Sequence, residues 1–207
     1  TDIMMHTMER YFNMSENMEL TDGISEALIK TVMKHSKILK EHPDCYESRA
    51  EVMWASSLSH NDLTGCGTDG GDWACHQLEH EIGGMFDVAH GAGLAAVWGS
   101  WARYVYKARP ERFAKFARNI FNIQETDDEK AAVAGIEAME NYYQSVGMPT
   151  SLCELGIHAT EEQIKEMADK CSFYGKRTVG VMKKIGAPEA AEIYRMANDK
   201  SIPLYSR

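Results

Sequence analysis

Apolar residues return at helical spacing along almost the whole chain, and nowhere do they alternate over a length that a half-buried strand requires. Ile24, Leu28, Val32 and Leu39, at spacings of four and seven, place one apolar stripe on a helix running through about Lys40. His42-Pro43-Asp44 breaks it, and a second helix is predicted from about Tyr46 to Leu63 with Val52, Ala55 and Leu58 inward. The run from Thr64 to Asp72, rich in glycine, reads as a loop. Helix resumes from about Trp73 to Phe86 and again from about Ala92 to Ala108. Arg109-Pro110 stops one helix and starts the next, because proline suits the first helical turn. Phe113, Phe116, Ala117, Ile120 and Phe121 form the apolar face of that helix. Thr126 with Glu129 and Thr160 with Gln163 read as capping boxes. Gly147 and Pro149 end the helix that Thr126 begins, and Pro188 opens a last short one reaching about Asn198. No repeat, low-complexity tract or linker interrupts the pattern, so 1–207 is expected to be one all-α domain.

Composition narrows the function classes. A hydrophobic share of 44% over 207 residues is enough for one substantial core. With 22 basic against 31 acidic residues, net −9, the chain lacks the footprint of a nucleic-acid binder. No apolar run approaches the roughly 18 residues of a membrane span, and no cationic segment followed by an apolar run marks a secretory leader. Five scattered cysteines without a Cys-x-x-Cys pair fit neither a disulfide framework nor a thiolate zinc cage, so a reducing compartment, the cytoplasm, is expected. The chain opens on Thr1 already in a helical pattern, from which a piece of a longer protein is expected.

The chemistry concentrates in histidines. His76 and His80 stand four apart on a predicted helix, so both imidazoles project from one face, and His90 follows after a turn. Asp2 and His6 repeat that spacing on another helix, and two such pairs on facing helices can converge on one cation. Imidazole nitrogens with a carboxylate oxygen suit Fe(II) or Zn(II) and not calcium. Each pair taken alone fits a surface face or a hydrogen-bonded core equally well. His76-Gln77-Leu78-Glu79-His80 also spells the inverted zinc-protease signature, in which Glu79 would activate a water for hydrolysis. A non-enzymatic helical metal-binding module is the third reading. His35, His42, His60 and His158 lack partners at ligand spacing and read as surface or hydrogen-bonded residues. Cys75, Trp98 and Trp101 read as core.

A longer pattern ranks these readings. Asp72-Trp73-Ala74-Cys75-His76-Gln77-Leu78-Glu79-His80-Glu81, continued by Asp87-Val88-Ala89-His90-Gly91-Ala92-Gly93-Leu94-Ala95, resembles the iron-containing alcohol dehydrogenases, and within them the butanol dehydrogenase branch. The resemblance extends to Asp2-Ile3-Met4-Met5-His6-Thr7-Met8-Glu9, to Gly147-Met148-Pro149-Thr150 and to Ile193-Tyr194-Arg195-Met196-Ala197. It implies the C-terminal helical domain of a two-domain enzyme that interconverts aldehydes and primary alcohols with NAD or NADP, acting as a homodimer. It implies a divalent metal, iron first and zinc second, held by Asp2, His6, His76 and His90. His80 then faces the nicotinamide as a catalytic and cofactor-binding residue. The family's Gly-Gly-Gly-Ser pyrophosphate loop occurs nowhere in these 207 residues. The expectation is that the N-terminal nucleotide-binding domain lies outside this chain, and that the chain alone is inactive.

Overall fold

The computed structural model describes residues 1–199. They form nine α-helices: α1 (Asp2–Tyr11), α2 (Glu19–Glu41), α3 (Tyr46–His60), α4 (Ala74–Phe86), α5 (His90–Val105), α6 (Pro110–Phe121), α7 (Asp128–Ser145), α8 (Glu161–Cys171) and α9 (Ala187–Asn198). Extended pairing among the described residues is limited to one antiparallel bridge, Val179 to Ile185. The all-α expectation holds. None of these helices is long and apolar enough to cross a membrane.

At the centre lies α5. Every residue from Gly93 to Ala102 is buried, so this helix is apolar all round, as a helix enclosed by others must be. It packs against α4, α7, α9 and α1. Trp98 and Trp101 are part of this core, as is Cys75 on α4. Amphipathic helices close the outside: α6 buries Phe113, Phe116, Ala117 and Ile120 and lies along α7. Phe12, just past α1, stacks on Phe113 with ring centroids 4.3 Å apart.

Two buried arginines fix α1, the helix that opens the site. Arg112 of α6 donates to both oxygens of Asp22 on α2, at 2.6 and 2.5 Å, and to the Tyr11 carbonyl at 2.7 Å. Arg10 of α1 donates to the Ser59 carbonyl of α3 at 2.6 Å and to Asp62 at 2.7 Å. Its guanidinium also lies 4.9 Å from the Trp73 ring centroid. The loop before α4 is held by Asp72. Its backbone N–H donates to the Glu9 carbonyl at 2.8 Å, while its carboxyl accepts from the amides of Val181 and Met182. Gly71 makes this approach feasible: its φ is +84°, and a Cβ there would stand 2.6 Å from the Glu9 carbonyl oxygen.

Four local expectations shift. The α3 helix stops at His60 rather than Leu63, because Asp62 turns left-handed. Trp73 is the left-handed residue before α4 instead of its first residue, and His90 rather than Ala92 opens α5. Thr126 does not cap α7. Asp127 does, accepting from the Lys130 amide, since an aspartate nearer the helix start competes better for the free N–H groups. The Thr160–Gln163 capping box of α8 is present.

Candidate metal centre

Three helices meet at one carboxylate. On α1, Asp2 and His6 stand a helical turn apart, and Glu9 continues the same face one turn further on. From α4 come His76, Glu79 and His80, and from the first turn of α5 comes His90. The Asp2 Oδ1 atom lies 3.2 Å from His76 Nε2, 3.5 Å from His90 Nε2 and 3.7 Å from His6 Nε2. Ligand atoms about 2.0–2.2 Å from a tetrahedral first-row metal stand roughly 3.3–3.6 Å from one another. The three separations from Asp2 lie near that range. Asp2, His6 and His76 each offer an atom within 4.8 Å of the others, and His90 joins Glu79 and His80 in a second such group.

The rear of the site is as ordered as the front. His76 Nδ1 pairs with Glu9, which is fully buried and also accepts from the His76 backbone amide at 3.1 Å. His90 Nδ1 pairs with Glu79, also buried. Each carboxylate engages Nδ1 and so turns Nε2 toward Asp2, the way metal-ligating histidines are held from behind. Gly93 on α5 leaves the space Glu79 needs, since a Cβ there would sit 2.6 Å from its Oε1. His6 is packed edge-on against Trp73 and His76, with its buried Nδ1 unpartnered.

Without a metal, the charges adjust among themselves. A hydrogen bond from His76, with the nearby His6 and His90 rings, holds the Asp2 carboxyl well below the usual carboxylate range against the opposing effect of burial. Burial, with His76 alongside, lowers His6 to about 4. For His76 burial works the other way from its partners, and the bonds to Asp2 and Glu9 prevail, raising it to about 9. Burial raises the Glu79 carboxyl and lowers His80.

The pairs read from spacing, Asp2 with His6 and His76 with His80, lie on helices that face each other here, and His6, His76 and His90, the histidines implied by the resemblance, each approach Asp2. His80 stands apart from the Asp2 carboxylate, its ring 5.8 Å from that of His90. Glu9 escaped notice, although its place three residues beyond His6 is a readable signal. His60, read as a surface or hydrogen-bonded residue, is exposed and bonded to Ser59 as expected, and it also lies with Nε2 3.4 Å from Asp2 Oδ2 and its ring 4.0 Å from that of His6. Its neighbours come from a loop closure that periodicity does not carry.

Fold and site together define a helical domain with a carboxylate–imidazole cluster set between three of its helices. Residues 1–197 match the model of the Fe-containing alcohol dehydrogenase family, C-terminal, and the chain belongs to that family. It is 36% identical over 196 residues to the NADH-dependent butanol dehydrogenase A of Clostridium acetobutylicum, covering 94% of this chain and 50% of that protein. It is 29% identical over 197 residues to the NADPH-dependent aldehyde reductase of Escherichia coli, covering 95% and 50%. The crystal structure of NADH-dependent butanol dehydrogenase A from Thermotoga maritima superposes with a TM-score of 0.89 at 35% identity, over 96% of this chain and 50% of that one. The chain thus spans about half the length of the curated relatives it matches.

Proposed function

We propose that this chain is the metal-binding half of an NAD(P)-dependent dehydrogenase that interconverts aldehydes and primary alcohols. One observation carries the reading: a single oxygen of Asp2 is faced by the Nε2 atoms of three histidines at 3.2–3.7 Å. Asp2, His6, His76 and His90 would hold the metal; the mixed nitrogen and oxygen set suits iron or zinc, and iron is placed first on the family's account. Bound there, the metal supplies a Lewis acid for the substrate oxygen, and the nicotinamide supplies or accepts the hydride. Glu9 and Glu79 keep the His76 and His90 rings aimed. His80, beside the cluster and more open to solvent, orients the nicotinamide. The nucleotide-binding domain precedes this half in the intact protein, which works as a cytoplasmic homodimer. The 207 residues alone, without a glycine-rich dinucleotide loop, do not turn over aldehyde with NAD(P)H.

The hydrolase reading fares worse on the same geometry. Glu79, which would have to activate water, is engaged by His90 Nδ1, and Asp2 has no part in that chemistry. Anaerobic titration of the metal-free protein with Fe(II) or Zn(II), in wild type and Asp2→Ala, separates the two. One tight site, weakened severalfold or lost in Asp2→Ala, supports the dehydrogenase centre. Tight binding indifferent to Asp2 and dependent on Glu79 or His80 supports the hydrolase.

A further inference from the structure

Asp2 has a second oxygen, and the four residues assigned above make no use of it. Its neighbour is His60, the last residue of α3, with Nε2 3.4 Å from Oδ2. His60 arrives there because Arg10, buried on α1, binds the Ser59 carbonyl and Asp62 and so draws the end of α3 against the site. The His60 ring lies 4.0 Å from that of His6, centroid to centroid. Behind it, Nδ1 is 2.7 Å from the Oγ of Ser59, a fully buried residue. The Ser59 hydroxyl has two acceptors in reach, the Ser56 carbonyl at 2.9 Å and His60 Nδ1; turned to Nδ1, it places the ring proton on Nε2, the atom that faces Asp2.

The arrangement repeats what Glu9 does for His76 and Glu79 for His90. In each case a group outside the donor set holds the rear of a ligand, and ligating carboxylates are held in the same way as ligating imidazoles. We propose that His60 is a positioning residue of the metal centre. It donates from Nε2 to the outer oxygen of Asp2, so that the carboxylate presents Oδ1 alone to the metal. This inference rests on the metal-centre reading above and adds a residue to it.

Co(II) titrated into the metal-free protein, in wild type, His60→Ala and His60→Gln, tests the assignment. Affinity is read by competition with a chelator, and ligating imidazoles are counted from hyperfine-shifted N–H resonances. His60→Ala is expected to weaken binding about 10–100-fold, the usual cost of removing an outer partner. His60→Gln, whose amide can donate to the same oxygen, is expected to recover most of that loss, with three shifted imidazoles in every variant. Equal affinity of wild type and His60→Ala overturns the proposal, as does a glutamine variant as weak as alanine. A fourth shifted resonance that disappears in His60→Ala also overturns it, because His60 would then donate its Nε2 lone pair to the metal while Nδ1–H binds the Ser56 carbonyl 3.0 Å away. Failure of the wild type to bind Co(II) sinks both readings, whereas binding that needs Asp2 and ignores His60 sinks this one alone.

Discussion

At the scale of single residues, the readiness of the cluster comes from groups behind it. A neutral imidazole has one lone pair, and which nitrogen carries it depends on the bond the other nitrogen makes. Glu9 and Glu79 make that choice for His76 and His90. Both carboxylates are buried, so each is committed to its histidine and has little access to water. His80 lacks such a constraint from Asp2 and stands on the open side of the group. In the intact protein, His80→Ala should therefore lower turnover while metal content stays at the wild-type level. Steady-state kinetics alongside metal analysis of the same preparations checks this, and loss of metal would move His80 into the ligand set.

Among elements, the decisive fact is that α1 is short, so its position depends on what grips it. The Arg112–Asp22 pair is the stronger grip, since both side chains are almost fully buried and the guanidinium also lies 4.1 Å from the Tyr11 ring centroid. Removing one partner leaves a buried charge without its counter-ion. Asp22→Ala is thus expected to cost about 3–5 kcal/mol, measured by urea denaturation. The pH dependence has a definite sign. Burial alone would raise the Asp22 carboxyl, but the bonds from Arg112 and Lys115 outweigh it and hold the group below its ordinary value. Its contribution is present in full above the unfolded value of about 3.9 and is lost as pH falls through the lowered folded value. Acid unfolding of wild type should accordingly be steeper than that of Asp22→Asn, which has no proton to take up at this position.

At the scale of the whole molecule, an apolar group on α3 stands out among the exposed side chains of the described residues. Tyr46, Met53 and Trp54, seven and eight residues apart on α3, are 78%, 71% and 63% exposed, so they share one outward face. Exposed aromatic and sulfur-containing side chains grouped in this way favour association. The double substitution Met53→Glu, Trp54→Glu is expected to lower self-association in sedimentation velocity while leaving the denaturation midpoint within about 0.5 kcal/mol of wild type, as for other surface changes. A drop in stability would show that the face is covered within the chain.

The amino-acid sequence by itself determined the helical class and most helix positions, because these follow from short-range periodicity; the same periodicity gave the pairs Asp2/His6 and His76/His80, and the resemblance, not the spacing, proposed the quartet with His90. Asp2 with His6 and His76 with His80 share faces at a spacing of four whatever surrounds them. Breaks at Pro43, Pro110 and Pro188 are equally local, since proline restricts its own backbone and that of its predecessor. Only the tertiary structure decided the rest. The pairing of Glu79 with His90 depends on the α4–α5 crossing, and Gly93 shows how close that crossing is. His60 has no partner at ligand spacing in the sequence; Arg10, by tying the end of α3 to α1, sets it beside Asp2 and joins residues about fifty positions apart in the chain. Contacts of that kind depend on how helices cross and loops close, and neither leaves a period along the sequence to be read.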